Sequence, residues 1–303
     1  MHESDRQTRS HLVELFAQQG FHPRHDLGQN FLIDLNLIEF VVREAELDMD
    51  DVVLEIGAGT GGMTTFLARE AGAVVSVEID PNMYALASEA TASYRRVTLL
   101  NCDALKSKNT LAPEVLAAVA ERRAELPEGN FKLVANLPYS VATPVVSNLV
   151  ATELPWERMV ITIQYELAER MVAEPGSDAY GALSVWLQSQ CEVKIRKKLG
   201  PNVFWPRPKV DSAIVKITRD DALRSTIDDR AFFHEFIRGL FSQRRKVLRG
   251  TLAGLYRNQL KKPEVDAILA EEGLVATTRA EEMTPVQLVQ LSNRFRKAIP
   301  VET

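Results

Sequence analysis

From Asp51 onward the chain alternates short unbroken apolar runs with stretches whose apolar residues recur every three to four positions. That alternation predicts strands buried on both faces, with helices packed over them. Strands are expected at Val52–Ile56, Ala73–Ile79, Arg96–Cys102, Phe131–Ala135 and Met159–Gln164. Helices are expected at Met63–Glu70, from Pro81, at Thr143–Ala151 and at Glu166–Ala173. The polar, Ala- and Glu-rich stretch Leu105–Asn130 has to hold a helix and a surface insertion. Tyr180–Gln190 reads as a further helix, and Cys191–Lys198 and Val210–Thr218 as strands that pair as an antiparallel edge. Upstream, Asp5–Gln19 places Leu12, Leu15 and Phe16 on one helical face, and a helix runs over Asp34–Ala45. Beyond Asp220 only helical spacing remains, at Phe232–Phe241, Arg244–Tyr256, Pro263–Glu272 and Pro285–Ala298. The expected organisation is an N-terminal helix and lid segment over 1–50, a doubly wound α/β domain over 51–219 and a small all-helical domain over 220–303.

Composition changes this picture little. The 303 residues are 46% apolar and 25% charged, ordinary for a soluble globular protein. No run approaches the roughly 18 apolar residues of a membrane span. Met1–Ser10 is polar, so the expectation is a cytosolic protein, and a monomer is expected without a sequence feature that decides it. Cys102 and Cys191 lack metal-ligand spacing and sit in apolar contexts, and the five histidines form no HxxxH or HExxH pattern, so no metal is expected. The net charge of −5 conceals an asymmetry. Residues 1–193 carry 14 Lys+Arg against 28 Asp+Glu, and residues 194–303 carry 22 against 13. Such a split suggests an acidic catalytic part and a basic part that meets a polyanion, the alternative being Lys/Arg-rich solvated helices.

Chemistry concentrates where the predicted strands end. The turn Gly57-Ala58-Gly59-Thr60-Gly61-Gly62 fits the dinucleotide fingerprint, with Glu78 about 20 residues on able to hold a ribose diol. Glu55 before the turn and Asp103 after the third strand are not required by a nicotinamide cofactor. They suit S-adenosylmethionine, whose ammonium, ribose diol, adenine amine and sulfonium call for carboxylates and amides. After the fourth strand, Asn136-Leu137-Pro138-Tyr139 offers an amide acceptor, a fixed turn and a flat ring, which together suit an exocyclic amine on a stackable base. Taken alone, this quartet is equally a strand-to-helix turn with Asn136 as cap. Arg24 to Asp34 is either a loop or a lid whose amides bind a small molecule.

These segments resemble, in combination, the ribosomal small-subunit RNA adenine N6,N6-dimethyltransferase family. The resemblance rests on Leu27-Gly28-Gln29-Asn30-Phe31-Leu32, the glycine turn, Asp103-Ala104, Asn136-Leu137-Pro138-Tyr139, Phe204-x-Pro206-x-Pro208-Lys209-Val210-Asp211-Ser212 and Phe241-x-Gln243-Arg244-Arg245-Lys246, and it spans about residues 23–296. It implies a Rossmann-like class I methyltransferase with a helical C-terminal domain. Such an enzyme dimethylates two adjacent adenines in a hairpin near the 3′ end of small-subunit RNA and has a role in subunit assembly. It implies that Asn30, Leu32, Gly57, Glu78, Asp103 and Asn136 contact the cofactor or its surroundings. Gln29, Glu55, Gly59, Ile79 and Ala104, from the same segments, complete the candidate set. His25-Asp26 stands where the family commonly has a basic residue, Tyr165 where Lys is common, and Trp205 and Arg207 interrupt a usually more proline-rich run.

The adenine amine is a poor nucleophile because its lone pair is delocalised into the ring, so acceptors have to favour a more tetrahedral nitrogen. The Asn136 oxygen and the Leu137 carbonyl are the candidates, on the turn that Pro138 shapes, with Tyr139 and Phe204 stacking the flipped base. Lys194, Arg196, Lys197, Lys198, Arg244, Arg245, Lys246 and Arg249 are candidate phosphate contacts, with a solvated charged face as the alternative for each. Three other readings stay open: a large-subunit RNA adenine methyltransferase that confers antibiotic resistance, an assembly or transcription factor on the same fold, and a nicotinamide dehydrogenase.

Overall fold

A computed structural model describes residues 9–24, 26–275 and 277–299. Its centre is a seven-stranded sheet of β1 (Val52–Ile56), β2 (Ala73–Glu78), β3 (Val97–Asn101), β4 (Phe131–Asn136), β5 (Trp156–Gln164), β6 (Cys191–Leu199) and β7 (Ser212–Arg219), in the order 3-2-1-4-5-7-6. β1 pairs in parallel with β2 and β4, β2 with β3, and β4 with β5, while β7 runs antiparallel to β5. Every residue of β1 and β2 is buried, as strands covered on both faces require. The order reverses between β1 and β4, which opens a crevice beyond their carboxyl ends.

Helices α1 (Arg9–Gln19), α2 (Leu35–Ala45), α3 (Gly62–Glu70), α4 (Pro81–Thr91), α5 (Pro113–Glu125) and α6 (Ala142–Ala151) accompany this sheet. The first four residues of the expected Asp5–Gln19 helix lie outside the described residues, as do His25 and most of the polar N-terminal stretch. Asp34 and Asp80 cap α2 and α4, each accepting a main-chain N–H two residues on, and Pro81 supplies the first helical position of α4. α2 packs on β4 and β5, α3 on β2, and α4 on β3. The stretch 105–130 resolves into a hairpin, Leu105–Ser107 with Thr110–Leu111, followed by α5.

The remaining helices are α7 (Tyr165–Val172), α8 (Ala182–Gln188), α9 (Asp221–Arg224), α10 (Arg230–Phe241), α11 (Leu248–Leu255), α12 (Lys262–Glu271) and α13 (Pro285–Ala298). The chain divides into two units, 1–168 with 194–218, and 169–193 with 219–303. The segment 169–193 therefore groups with the C-terminal helices, which differs from a boundary at 219/220, and residues 1–50 group with the sheet rather than apart from it. Packing supplies the reason. Trp186 of α8 is buried with its ring 6.2 Å from Phe233 and 4.6 Å from His234, both on α10. Ser184 and Gln188 donate to the main-chain carbonyls of Arg170, Met171 and Ala173. Tyr180 donates to the Met283 carbonyl at 2.8 Å. No described helix is long and apolar enough to cross a membrane.

At the amino ends of β1 and β4 lies a buried ionic cluster. The Lys132 ammonium, 3% exposed, donates at 2.6 Å to Asp51, 1% exposed, and at 2.6 Å to the Glu46 carbonyl. Asp51 also accepts the N–H groups of Asp48 and Asn130 at 2.9 Å each. The Glu46 carboxylate takes Arg158 at 2.8 Å and Lys216 at 2.6 Å, which hold it down to about 2. Removing one partner of such a pair leaves an uncompensated buried charge. Lys132→Met is expected to lose roughly 3–5 kcal/mol. Urea unfolding checks this, and an unchanged midpoint at unchanged slope would mean that the cluster adds nothing to stability.

Candidate active site

The carboxyl ends of β1 to β4 converge on a cleft of about 280 Å³. β1 contributes Ile56, Gly57 and Gly59; β2 contributes Val77, Glu78 and Ile79; β3 contributes Cys102, Asp103 and Ala104; β4 contributes Asn136 to Val141. The segment Asp26 to Phe31 forms the remaining wall. Gly57 and Gly59 have φ of 88° and 57°, which L side chains rarely adopt. A Cβ on Gly59 would meet the Phe31 ring at 3.0 Å, and one on Gly57 would meet Pro138 at 3.3 Å, so glycine keeps both walls close.

Glu78 closes the turn. Its carboxylate accepts Gly59 N–H at 2.8 Å and Asp80 N–H at 2.9 Å. Burial pushes its carboxyl above the ordinary value despite these two donors. Asp80 in turn accepts from Gln29 Nε2 at 2.9 Å, which fastens the 26–31 wall to the start of α4. Asn136 Nδ2 donates to the Asn30 carbonyl at 2.8 Å. With its amino group committed there, the carboxamide has its oxygen free, and neither that oxygen nor the Leu137 carbonyl accepts a hydrogen bond among the described residues. The Tyr139 hydroxyl shares a 2.6 Å hydrogen bond with Ser212 at the start of β7, which fixes the ring's orientation at the cleft wall. Burial raises the Tyr139 pKa, so the phenol keeps its proton. The Cys102 thiol is likewise raised, first by burial and then by Glu114 and Asp103, so it offers no thiolate.

The structure brings together Gln29, Asn30, Gly57, Gly59, Glu78, Ile79, Asp103, Ala104, Asn136, Leu137, Pro138 and Tyr139 on this cleft. Leu32, Glu55 and Phe204 lie elsewhere. Leu32 and Phe204 pair across a two-residue antiparallel ribbon and are 3% and 2% exposed within the core under α2, so a stacking role for Phe204 gives way to packing. Glu55 is 1% exposed and turns inward, where Thr64 and Ser76 donate to it at 2.6 and 2.5 Å. It ties β1 to β2 and α3 and does not face a ligand. Phe31, Gly28 and Ser212 were missed as site residues although each lies inside a quoted motif. Ser212 was discoverable only by knowing that β7 starts beside Tyr139.

The sequence profile of the ribosomal RNA adenine dimethylase family matches residues 20–297. The chain belongs to this family. It is 38% identical over 274 residues to the ribosomal RNA small subunit methyltransferase A of Levilactobacillus brevis, covering 90% of each chain. It is 36% identical over 281 residues to the enzyme of that name from Latilactobacillus sakei, covering 92% of each. In fold it is similar to a dimethyladenosine transferase from Plasmodium falciparum, with a TM-score of 0.72, 22% identity, and 88% and 97% of the two chains covered. It is also similar to the 23S rRNA methyltransferase ErmE, with a TM-score of 0.61, 24% identity, and 88% and 99% covered.

In this adenine dimethylase the candidate phosphate contacts divide. Arg196 pairs with Glu44 at 2.7 Å, Lys198 with Asp211 at 3.0 Å, and Arg249 with Asp266. Arg244 is a structural residue, donating to Glu281 at 2.9 Å and to the carbonyls of Asp178 and Tyr180. Lys197 lies over the Phe40 ring, and Lys194 also has a partner. Arg245 and Lys246 are exposed in the turn after α10.

Burial pushes the Glu55 carboxyl up to about 7, against the Ser76 and Thr64 hydrogen bonds and with help from the Glu78 charge. Between the ordinary 4.5 and about 7 the folded chain keeps a proton that the unfolded chain has released, so this group's contribution to stability falls as pH rises through that window. Glu55→Gln removes the dependence. Its stability relative to the parent should rise from about pH 5 to about pH 8, by up to roughly 3 kcal/mol at ~1.36 kcal/mol per pK unit. Denaturant titrations across that range check it, and a flat difference would mean that Glu55 titrates as it does in the unfolded chain.

Proposed function

We propose that this chain transfers methyl groups from S-adenosylmethionine to N6 of two adjacent adenines in a hairpin near the 3′ end of small-subunit ribosomal RNA. We place it as a monomer in the cytoplasm, acting on the immature small subunit. The relatives' names support the small subunit as target. The observation that carries the chemistry is the oriented Asn136 carboxamide at the rim of an acid-lined cleft.

The donor set suits S-adenosylmethionine. The cleft walls hold Glu78 and Asp103, with Asp26 paired to an Arg24 that lies outside the lining, and no Lys or Arg is among the lining residues, which favours a cationic ligand. Glu78, at the end of β2, is placed for a ribose diol, and Asp103 with Ala104, after β3, for an adenine edge. When bound, this cofactor supplies a methyl group on a sulfonium. What remains for the protein is to position and polarise the acceptor amine. For the first transfer Asn136 Oδ1 and the Leu137 carbonyl accept the two N6–H bonds and draw the nitrogen toward a tetrahedral shape, which releases its lone pair from the ring; for the second, one of them accepts the single N6–H that remains. Tyr139, held by Ser212, presents the face on which the extruded base stacks. With the phenol protonated and no base among these groups, the proton of the methylated amine leaves to water.

Asn136→Ala should lower the single-turnover methylation rate by roughly 100-fold, the scale of losing one oriented polar group aimed at developing charge, and leave RNA affinity near that of the parent. A normal rate would remove Asn136 from the chemistry. Calorimetry should detect S-adenosylmethionine and no NAD, with Glu78→Ala weakening the former by about 1.5–3 kcal/mol. Mass-spectrometric mapping of methylated adenines, with and without the protein, tests the reading as a whole. Two dimethylated small-subunit adenines would support it, and large-subunit adenines alone would redirect it.

A further inference from the structure

The basic surplus of the C-terminal half does not reside in the helical unit. Residues 169–193 and 219–303 together carry 16 Lys+Arg and 16 Asp+Glu, whereas 194–218 alone carries seven against the single Asp211. That short stretch holds most of β6 and β7 and the connection between them. Among its cations, Arg196, Lys198 and Lys216 are engaged by Glu44, Asp211 and Glu46. Arg207 and Lys209 are exposed and have no hydrogen bond, ion pair or ring contact among the described residues.

Their position is constrained from both sides. Trp205 pairs with Phe31, whose ring lines the catalytic cleft, and Ser212 holds the hydroxyl of Tyr139, which lines it too. Arg207 stands two residues from the first anchor and Lys209 three from the second, so their Cα atoms lie within about 7 and 11 Å of those anchors at ~3.6 Å per residue. Pro206 and Pro208 flank Arg207, restricting φ and removing two N–H groups, so this segment neither joins the sheet nor wanders far from the rim.

We propose that Arg207 and Lys209 bind the backbone phosphates on either side of the adenosine being methylated. This rests on the reading of the chain as an RNA adenine methyltransferase. The cleft interior contains carboxylates and no Lys or Arg, so the charge of a nucleotide whose base enters it has to be met outside, at the rim. An extruded base carries its own two phosphates to that rim. Arg207 suits bidentate contact with phosphate oxygens, and Lys209 acts as a point charge. Neither reads sequence. Together they set the depth and orientation at which the base enters.

The test uses the full chain and small ribosomal subunits lacking adenine methylation. Arg207→Gln with Lys209→Gln should flatten the dependence of log affinity on log salt by about 1.4, at ~0.7 per phosphate contact for a single strand. S-adenosylmethionine affinity should stay as in the parent, whereas the single-turnover rate at saturating subunits should fall, because the base then enters less well oriented. An unchanged salt slope in this variant, with a parent that binds and methylates, overturns the phosphate role alone. A parent that fails to methylate small subunits overturns the functional reading on which it rests. A footprint on the unmodified chain stands independently of how the variant folds. Acylation of Lys209 by an amine-reactive reagent should be suppressed by bound subunits, and equal labelling with and without them overturns the proposal.

Discussion

The buried carboxylate of Glu78 ties two turns to one point. One oxygen accepts Gly59 N–H and the other Asp80 N–H, so the glycine turn after β1 and the start of α4 hang from a single side chain at the end of β2. The linkage continues outward. Asp80 caps α4 and takes Gln29 Nε2, and Gln29 belongs to the segment whose Asn30 carbonyl holds the Asn136 amide. The acid at the end of β2 and the amide at the end of β4 therefore belong to one connected set of hydrogen bonds. Charge-assisted bonds to a buried carboxylate are strong enough to help hold a segment that has only two residues of sheet pairing of its own.

Much of this is legible in the sequence because a doubly wound sheet concentrates chemistry at the carboxyl ends of its strands. Each break from an apolar run to a Gly, Glu, Asp or Asn marked a strand end, and the cleft is the set of those breaks brought side by side. The wall made by residues 26–31 was not legible in the same way. Its residues read equally as a loop, and it becomes part of the site through three long-range contacts, Gln29 with Asp80, Asn30 with Asn136 and Phe31 with Trp205.

Where the sequence reading failed, it failed on side-chain direction and on long-range packing. Strand alternation sends Glu55 away from the cleft although it stands two residues before Gly57, and two hydroxyls await it there. Phe204 lies in one of the segments that carry the family resemblance, but ribbon pairing with Leu32 turns it into the core. Helix α8 follows strand-like and helix-like segments in good doubly wound order, and its long-range packing, with Trp186 on α10 and Tyr180 on the Met283 carbonyl, is what groups it with the helical unit. Arg244 stands within a run of cations that reads as a phosphate contact. Its two carbonyls and Glu281 come from segments more than 30 residues away.

The ionic cluster beneath the sheet bears on how the chain finds its alignment. Lys132 sits between the fully buried Phe131 and Leu133, so a one-residue slip of β4 against β1 would carry its ammonium to the opposite face and leave both it and Asp51 unpaired in the interior. The apolar strands around it, Val- and Leu-rich on both faces, discriminate poorly between neighbouring registers. One misplaced charge discriminates sharply, because an unpaired ion in the interior costs several kcal/mol. Lys132 and Asp51 thus act as an alignment check, rejecting mispaired sheets that the hydrophobic residues alone would tolerate, and they do so at the end of the sheet farthest from the cleft.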